Sequence, residues 1–345
     1  MIEVTSSENF NEIIKTVDMN QTLLLTGKAE TNRDINKIVY YSTIEAARAA
    51  YGDSELTQAF EVAKSIGVPH IFLINVQNVY DYIEVANVLK HYDFAYVAPT
   101  NIFLGDAFFD ASRNNQKVGF FHHILETMSS YNRSTLVATD NHASLYEDID
   151  AYLDDMLDLT RQFKQGIAGK MNGKNICFVA NNLKDYPLAN VVLASILCAG
   201  DLGIYPAYRE LGPAVFDIDS FDVGEQELAY FKNNHLTGTT IENLLNFNSK
   251  VEPEKIVTVD RIVKYIRRNL DLSRFKGRQM SAYQKLRIEK ALVEYFDPLL
   301  NWILRSYEIK SIRFIKETIG SGIVLCDIDI WVINSTEKFS VIVEG

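Results

Sequence analysis

Short unbroken apolar runs alternate with longer stretches of helical spacing through the first half of the chain, and the rhythm changes beyond residue 251. Residues 22–26 (TLLLT) and 37–41 (KIVYY) read as short strands, and STIEAA opens a helix that Ser42 or Thr43 would cap. A second helix is expected over 54–66, after the Gly52-Asp53 break. The run HIFLINV (70–76) has the continuous apolar character of a buried strand. A helix over 81–91, a strand over 94–98 closed by Pro99, and a helix around 122–131 follow. A strand over 134–139, a helix over 145–163 and a strand over 176–180 continue the alternation. This order predicts a mixed α/β fold, with a largely parallel or mixed sheet flanked by helices.

PLANVVLASILCAG (187–200) is nearly all apolar and rich in small residues, which predicts a buried helix ending at Gly200. Residues 201–250 are richer in Gly, Asn and Asp and are expected to be irregular. Residues 258–270 are amphipathic: Val259, Ile262, Val263, Ile266 and Leu270 form one stripe, while Arg261, Lys264 and Arg268 share the other face. A long helix is expected over 282–306, kinked or broken at Pro298. Two alternating strands close the chain, 323–333 (IVLCDIDIWVI) and 339–344 (FSVIVE). The expected organisation is an N-terminal arm over 1–16, an α/β domain over 17–250, and a C-terminal helix-plus-strand domain over 251–345.

Charge changes the picture more than composition does. With 47% hydrophobic and 23% charged residues, the 345-residue chain has the make-up of a folded protein. Its formal net charge is −11, yet from Asp260 to Lys290 ten Lys/Arg stand against three acids, net +7. The other 314 residues therefore carry −18. Such polarity suits a molecule that presents opposite signs to different neighbours, which points to assembly more than to catalysis. Cys177, Cys198 and Cys326 each sit in an apolar run and are expected to be small buried hydrophobes, without disulfide or zinc spacing. The polar opening MIEVTSSENF does not resemble a signal peptide, and no run approaches a membrane span. A reducing cytoplasm is the expected place of folding.

Candidate chemistry is sparse. LLLTGKAET (23–31) places Gly27-Lys28 after a strand, but Thr22 and Ala29 occupy the positions where a phosphate loop needs Gly and Ser/Thr. His122-His123 is the only histidine pair, and neighbours on a helix diverge by about 100°, so a metal site there needs distant partners such as Asp110, Asp140 or His142. Glu147, Asp148, Asp150, Asp154, Asp155 and Asp158 lack Ca²⁺-loop spacing. Leu145, Ile149, Leu153, Met156 and Leu157 supply an apolar stripe between them, which describes a solvated or docking acidic helix face. No Gly-x-Ser-x-Gly, His-Glu-x-x-His or dinucleotide fingerprint is present. No catalytic residue, cofactor or metal is expected. The basic segment, with Tyr265, Phe275 and Tyr283 interleaved, fits a solvated face, an acidic protein partner or nucleic acid; the pI of 5.1 weighs against the last.

The order of weak motifs resembles the sheath proteins of contractile phage tails and related contractile injection devices, over roughly residues 45 to 345. YGDSELTQAFEVAKSIG (51–67) leading into HIFLINV, then YDFAYVAPT (92–100) and RSTLVATDN (133–141), are similar to the family's α/β region. YPLANVVLASILCAGDLGIYPAY (186–208) and DVGEQELAYFKNNHLTGTTI (222–241) continue the likeness. The strongest match is C-terminal: VTVDRIVKYIRRNLDLSRF, then FDPLLNWILRSYEI and VLCDIDIWVINSTEKFSVIVE. MIEVTSSENF departs from the Pro-Gly-Val-Tyr-like strand with which such proteins open, and the chain is short for a phage sheath.

The resemblance implies a sheath-type core and a structural subunit of a virion tail, assembled in the host cytoplasm. Hexameric rings of this chain would stack helically around an acidic inner tail tube, meet baseplate and terminator proteins, and contract to drive the tube through an envelope. A sheath cap or terminator ring is the alternative, with an α/β nucleotide-binding enzyme behind it. Neither direct nucleic-acid contact nor membrane insertion is implied. The tube-facing residues would be Arg261, Lys264 and Arg268, with Arg274, Lys276 and Arg278. Neighbours would be stitched by terminal strands over 2–5 (Ile2, Val4) and 339–344 (Phe339, Val341, Val343).

Overall fold

A computed structural model describes residues 22–78, 81–88, 92, 94–103, 107–109, 117–119, 134–167, 175–184, 186–199, 215–218, 228–234, 238–244, 282–300, 304–316, 322–332 and 341–343. The chain divides into two compact units, Met1–Val257 and Thr258–Gly345.

The first unit is built on one eight-stranded sheet. Its strands are β1 (Thr22–Gly27), β2 (Ile38–Tyr40), β3 (His70–Asn75), β4 (Tyr96–Pro99), β7 (Thr135–Ala138), β8 (Ile176–Val179), β9 (Leu228–Asn234) and β10 (Gly238–Glu242). Two further strands, β5 (Ala107–Phe109) and β6 (Lys117–Gly119), form a separate antiparallel pair. Across the large sheet the order is β10-β9-β8-β7-β4-β1-β3-β2. The six inner strands are parallel, and β2 and β10 close the two edges antiparallel. This is the mixed sheet that the alternation predicts.

Among the described residues five helices pack on it: α1 (Ile44–Tyr51), α2 (Glu55–Ile66), α3 (Tyr82–Val88), α4 (Ile149–Ile167) and α5 (Ala189–Ala199). Successive strand side chains point to opposite faces, so an unbroken apolar run feeds two cores. Leu23 and Leu25 join α1, α2 and α5 in one core with Phe60, Val191 and Phe231; Leu24 joins α3 and α4 in the other, with Phe72, Tyr152 and Phe178. α5 is buried almost throughout, as its composition predicts.

Local chemistry sets the helix ends. Thr43 Oγ1 accepts from Ala46 N–H at 3.2 Å and starts α1. Ser54 and Thr57 form a reciprocal capping box that starts α2. Between these helices Gly52 takes φ 73°, and a Cβ there would meet the Glu30 carboxylate 2.2 Å away. That carboxylate accepts from Asp53 N–H at 2.9 Å, so the turn needs glycine on both counts.

The second unit packs α6 (Ala282–Phe296) on a sheet of order β11-β12-β13: β11 (Leu304–Lys316), β12 (Gly322–Val332) and β13 (Val341–Val343). Among the described residues its core gathers Ile288, Ala291, Leu292, Phe296, Leu299, Leu304, Cys326 and Ile328.

Three expectations need correction. The segment expected to be irregular contains the hairpin β9–β10, whose cross-strand register runs from Glu242↔Tyr230 to Gly238↔Asn234. The helix expected to reach 306 ends at Phe296; Pro298 sits in a 3₁₀ turn over Asp297–Leu299, and 304–306 already belong to β11. Proline cannot donate the next helical hydrogen bond, and the apolar residues beyond it serve a strand instead. Leu145 is not part of the α4 stripe: it lies in a 3₁₀ turn over Ala143–Leu145 and is 73% exposed. The helix expected around 122–131 and the amphipathic segment 258–270 lie outside the described residues.

Replacing Leu24, which is fully buried between the layers, with Ala is expected to cost about 2–5 kcal/mol in urea unfolding of the first unit. Leu145→Ala should stay within about 0.5 kcal/mol of wild type.

Candidate interaction surfaces

In doubly wound sheets a ligand usually sits outside the carboxyl ends of the strands, where the strand order reverses. Here that point lies between β1 and β4, and it is filled. Thr100, fully buried, follows β4 and donates its N–H to Thr26 O at 2.7 Å. A Cβ added at Gly27 would lie 1.8 Å from Thr100 Oγ1. The Gly27-Lys28 pair is thus a strand end followed by a turn, with a threonine pressed on its glycine.

Fully buried amide side chains occupy the rest of that edge. Asn75, at the end of β3, accepts from Ala29 N–H at 3.0 Å and donates to the carbonyls of Thr31 and Arg33, both at 2.9 Å. Asn181, after β8, donates to the carbonyls of Asp140 (3.0 Å) and Pro187 (2.8 Å) and accepts from Ala189 N–H (3.0 Å). Asn182 donates to Phe216 O (2.9 Å) and Phe231 O (2.7 Å) and accepts from Phe231 N–H (3.2 Å). Asn190 of α5 reaches back to Pro99 O at 2.7 Å. Asn75, Asn181 and Asn182 use both ends of their amides on the chain's own groups. The described cysteines are equally committed: all three are buried, and burial pushes the Cys177 thiol up to about 12. Burial, with Asp327 beside it, pushes the Cys326 thiol up to about 11. No cluster of metal-ligating side chains occurs among the described residues.

The exposed chemistry lies elsewhere. The first unit carries 19 Lys/Arg against 34 Asp/Glu, net −15, and the second carries 15 against 11, net +4. Tyr307, Ile309 and Ile312 turn toward the core, while Glu308, Lys310 and Arg313 turn out beside Asp327 and Asp329. Lys310 Nζ lies 3.1 Å from Asp329 and 3.3 Å from Glu308. Ser311 Oγ donates to Asp327 at 2.6 Å, and Arg313 pairs with the same carboxylate. On the inner face Phe296 stacks on Tyr307 with centroids 5.1 Å apart, and Tyr307 donates its hydroxyl hydrogen to Asp297 at 2.6 Å.

The edges of this sheet are unevenly covered. Among the described residues β13 pairs antiparallel with the first half of β12, through Val324↔Val343, Leu325↔Ile342 and Cys326↔Val341. No strand pairs with the outer edge of the thirteen-residue β11 among the described residues. Register irregularities at Leu304/Ser306 and Ile309/Ser311 bend it, a feature that discourages indiscriminate edge pairing.

Of the residues singled out in the sequence, Val341 and Val343 lie on β13, paired within their own chain. Ile2, Val4 and Phe339, the basic residues Arg261, Lys264, Arg268, Arg274, Lys276 and Arg278, and the pair His122-His123 lie outside the described residues. His142 is a 3₁₀-turn cap, 2.6 Å from both Ser144 Oγ and Leu183 O. Glu147, Asp148, Asp150, Asp154, Asp155 and Asp158 are exposed, as the acidic-face reading expects. Sequence reasoning missed β11, although the alternation YEIK was there to find. It also missed the amide edge, whose only trace is an Asn at or just after each of three apolar runs.

No protein-family model matches the sequence, and no curated protein matches it. The fold does have counterparts. A sheath tail protein from Desulfitobacterium hafniense superposes with a TM-score of 0.57 at 10% identity, over 94% of this chain and 96% of that one. A sheath tail protein from Listeria innocua does so with a TM-score of 0.57 at 10% identity, over 94% of each chain. A chain of the contracted-state baseplate of the anti-feeding prophage gives 0.54 at 10% identity, over all of this chain and 96% of that one.

Two outcomes check the geometry. Gly27→Ala should cost about 1–3 kcal/mol in urea unfolding, with part recovered when Thr100→Ala is added; strict additivity would show that the two do not touch. The hydrogen bonds from Ser311 and Arg313 hold the Asp327 carboxyl below the usual carboxylate range, so its contribution exists above the unfolded-state pKa and is lost as pH falls through the lower folded value. The gap in Tm between wild type and Asp327→Asn should therefore shrink below about pH 4.

Proposed function

From the premise that this chain has the fold of a sheath tail protein, we propose that it is a structural subunit of a contractile tail sheath. The observation that carries this reading is the extent of the likeness: both units together match nearly the whole length of two sheath tail proteins. Rings of six copies would stack helically around an inner tail tube and contract to drive it through an envelope. The tail of a virion or a related injection device is the place proposed for it, after assembly in the host cytoplasm. Catalysis, cofactor and metal have no part in the reading.

The basic residues Arg261, Lys264 and Arg268, with Arg274, Lys276 and Arg278, are proposed to face an acidic tube. Single exposed ion pairs contribute roughly 0.2–1 kcal/mol, which suits contacts that must be released ring by ring. The terminal strands over 2–5 and 339–344 are proposed to add to sheets of neighbouring copies. Among the described residues β13 pairs with β12 through three residue pairs and no strand pairs with the outer edge of β11, which supports such an exchange. A second reading, a single-ring cap or terminator, draws on the likeness to a chain of a baseplate assembly.

Negative-stain microscopy of the purified protein, alone and with its tail-tube partner, separates these readings. Long hollow tubes with a helical repeat are expected. Single rings would favour the cap, and dispersed monomers under both conditions would remove both. Charge reversal at Arg261, Lys264 and Arg268 should abolish assembly on the tube; assembly at the wild-type level would sink the tube-facing assignment.

A further inference from the structure

β11 is longer than the strand it pairs with, thirteen residues against eleven in β12. The surplus sits at the two register shifts. Leu304 faces Val332 and Ser306 faces Trp331, so Arg305 has no opposite residue on β12; Ile309 faces Ile328 and Ser311 faces Asp327, so Lys310 has none there either. Each is the extra residue of a β-bulge, which bends a strand and interrupts its ladder. The second bulge is tied down on both sides: Lys310 Nζ lies 3.3 Å from Glu308 on its own strand and 3.1 Å from Asp329 across the pair. It also resets the pleat. Tyr307 and Ile309 meet the core two residues apart, and Ile312 meets it three residues further on. Without Lys310 the run would read Tyr-Glu-Ile-Ser-Ile-Arg, which alternates apolar and polar without a break. The inserted lysine is therefore not needed to bury those side chains, and its effect falls on the strand's edge.

Beyond Lys310 the register with β12 runs unbroken through six pairs, Ser311↔Asp327 to Lys316↔Gly322; between the bulges it runs through four, Ser306↔Trp331 to Ile309↔Ile328. The longer stretch is also where β13 lies on the far side of β12, against Val324, Leu325 and Cys326. A strand added to β11 there joins a section already three strands wide, with consecutive backbone groups to pair with. We infer that Lys310 is a register stop on β11: the strand over 2–5 of a second copy pairs along Ser311–Lys316 and is turned away from Leu304–Ile309. The stop rests on the strand exchange proposed above and fixes where on β11 that exchange occurs. The strand over 2–5 is the occupant because residues 341–343, in the other terminal strand, already pair with β12 of their own chain. Its Ile2 and Val4 alternate with Glu3 and Thr5, the pattern of a strand with one apolar face. A lysine at a bulge on an edge strand opposes indiscriminate pairing, so the same residue limits the edge to one register.

Hydrogen–deuterium exchange of the full-length chain, dispersed and assembled on a tail-tube partner, tests the stop. Assembly should slow the fast-exchanging amides of residues 311–316 by about tenfold or more and leave those of 304–309 unchanged. Deleting Lys310 should leave the dispersed chain folded and let the protection spread into 304–309. Lys310→Arg, which keeps the extra residue and its charge, should behave as the wild type. Deleting residues 2–5 should remove the protection of 311–316; protection that persists would give the edge to another occupant and overturn the assignment. Protection of 304–309 in the wild type, or a folded deletion variant with the wild-type boundary, would overturn the stop. If the chain without Lys310 does not fold, the wild-type boundary decides by itself. Tubes with no added protection on β11 would overturn the stop while leaving the sheath reading intact. A chain that forms neither tubes nor rings would remove the sheath reading, and the stop with it.

Discussion

A parallel sheet buried on both faces ends its strands inside the protein, and the backbone groups released there must find partners without help from bulk water. The first unit meets that demand with asparagine. Asn75, Asn181, Asn182 and Asn190 are fully buried, and their amides bridge strand ends to the loops that leave them and to the start of α5. A buried amide left without partners costs about 1–3 kcal/mol, so these side chains hold the loops in one arrangement. With Thr100 pressed on Gly27, they also fill the crevice where other doubly wound sheets receive ligands.

The second unit answers to different physics. Its hairpin divides into an apolar face against α6 and an outer face held by Ser311, Arg313, Lys310 and the acids between them. Exposed ion pairs of this kind contribute little alone. The two units carry net charges of opposite sign, −15 and +4.

The likeness to sheath tail proteins at 10% identity has a physical basis in the same features. A fold is kept when apolar volume and period are kept, whichever aliphatic or aromatic residue occupies each site. In this chain the alternation sends Leu23 and Leu25 to one layer and Leu24 to the other, and Pro298 stops the helix before β11.

The sequence by itself determined the local elements and their class. Unbroken apolar runs such as HIFLINV, the caps at Thr43 and Ser54, the glycine between α1 and α2 and the all-apolar α5 are short-range signals, and they produce strands and helices close to where they stand. The acidic face of α4 was equally legible, because helical period alone sorts its acids from Tyr152 and Met156. Tertiary structure decided the rest. Residues 228–242 lack a strong apolar run, and they become strands because β8 offers a parallel edge to β9. Leu304 to Ser306 continue a helical pattern in sequence but are claimed by pairing with β12. Asn75 and Asn181 lie more than a hundred residues apart, and nothing local says that they will share one sheet edge. Short-range sterics and periodicity act along the chain and can be read there, whereas strand partners and buried polar networks depend on which distant segments the completed fold brings together.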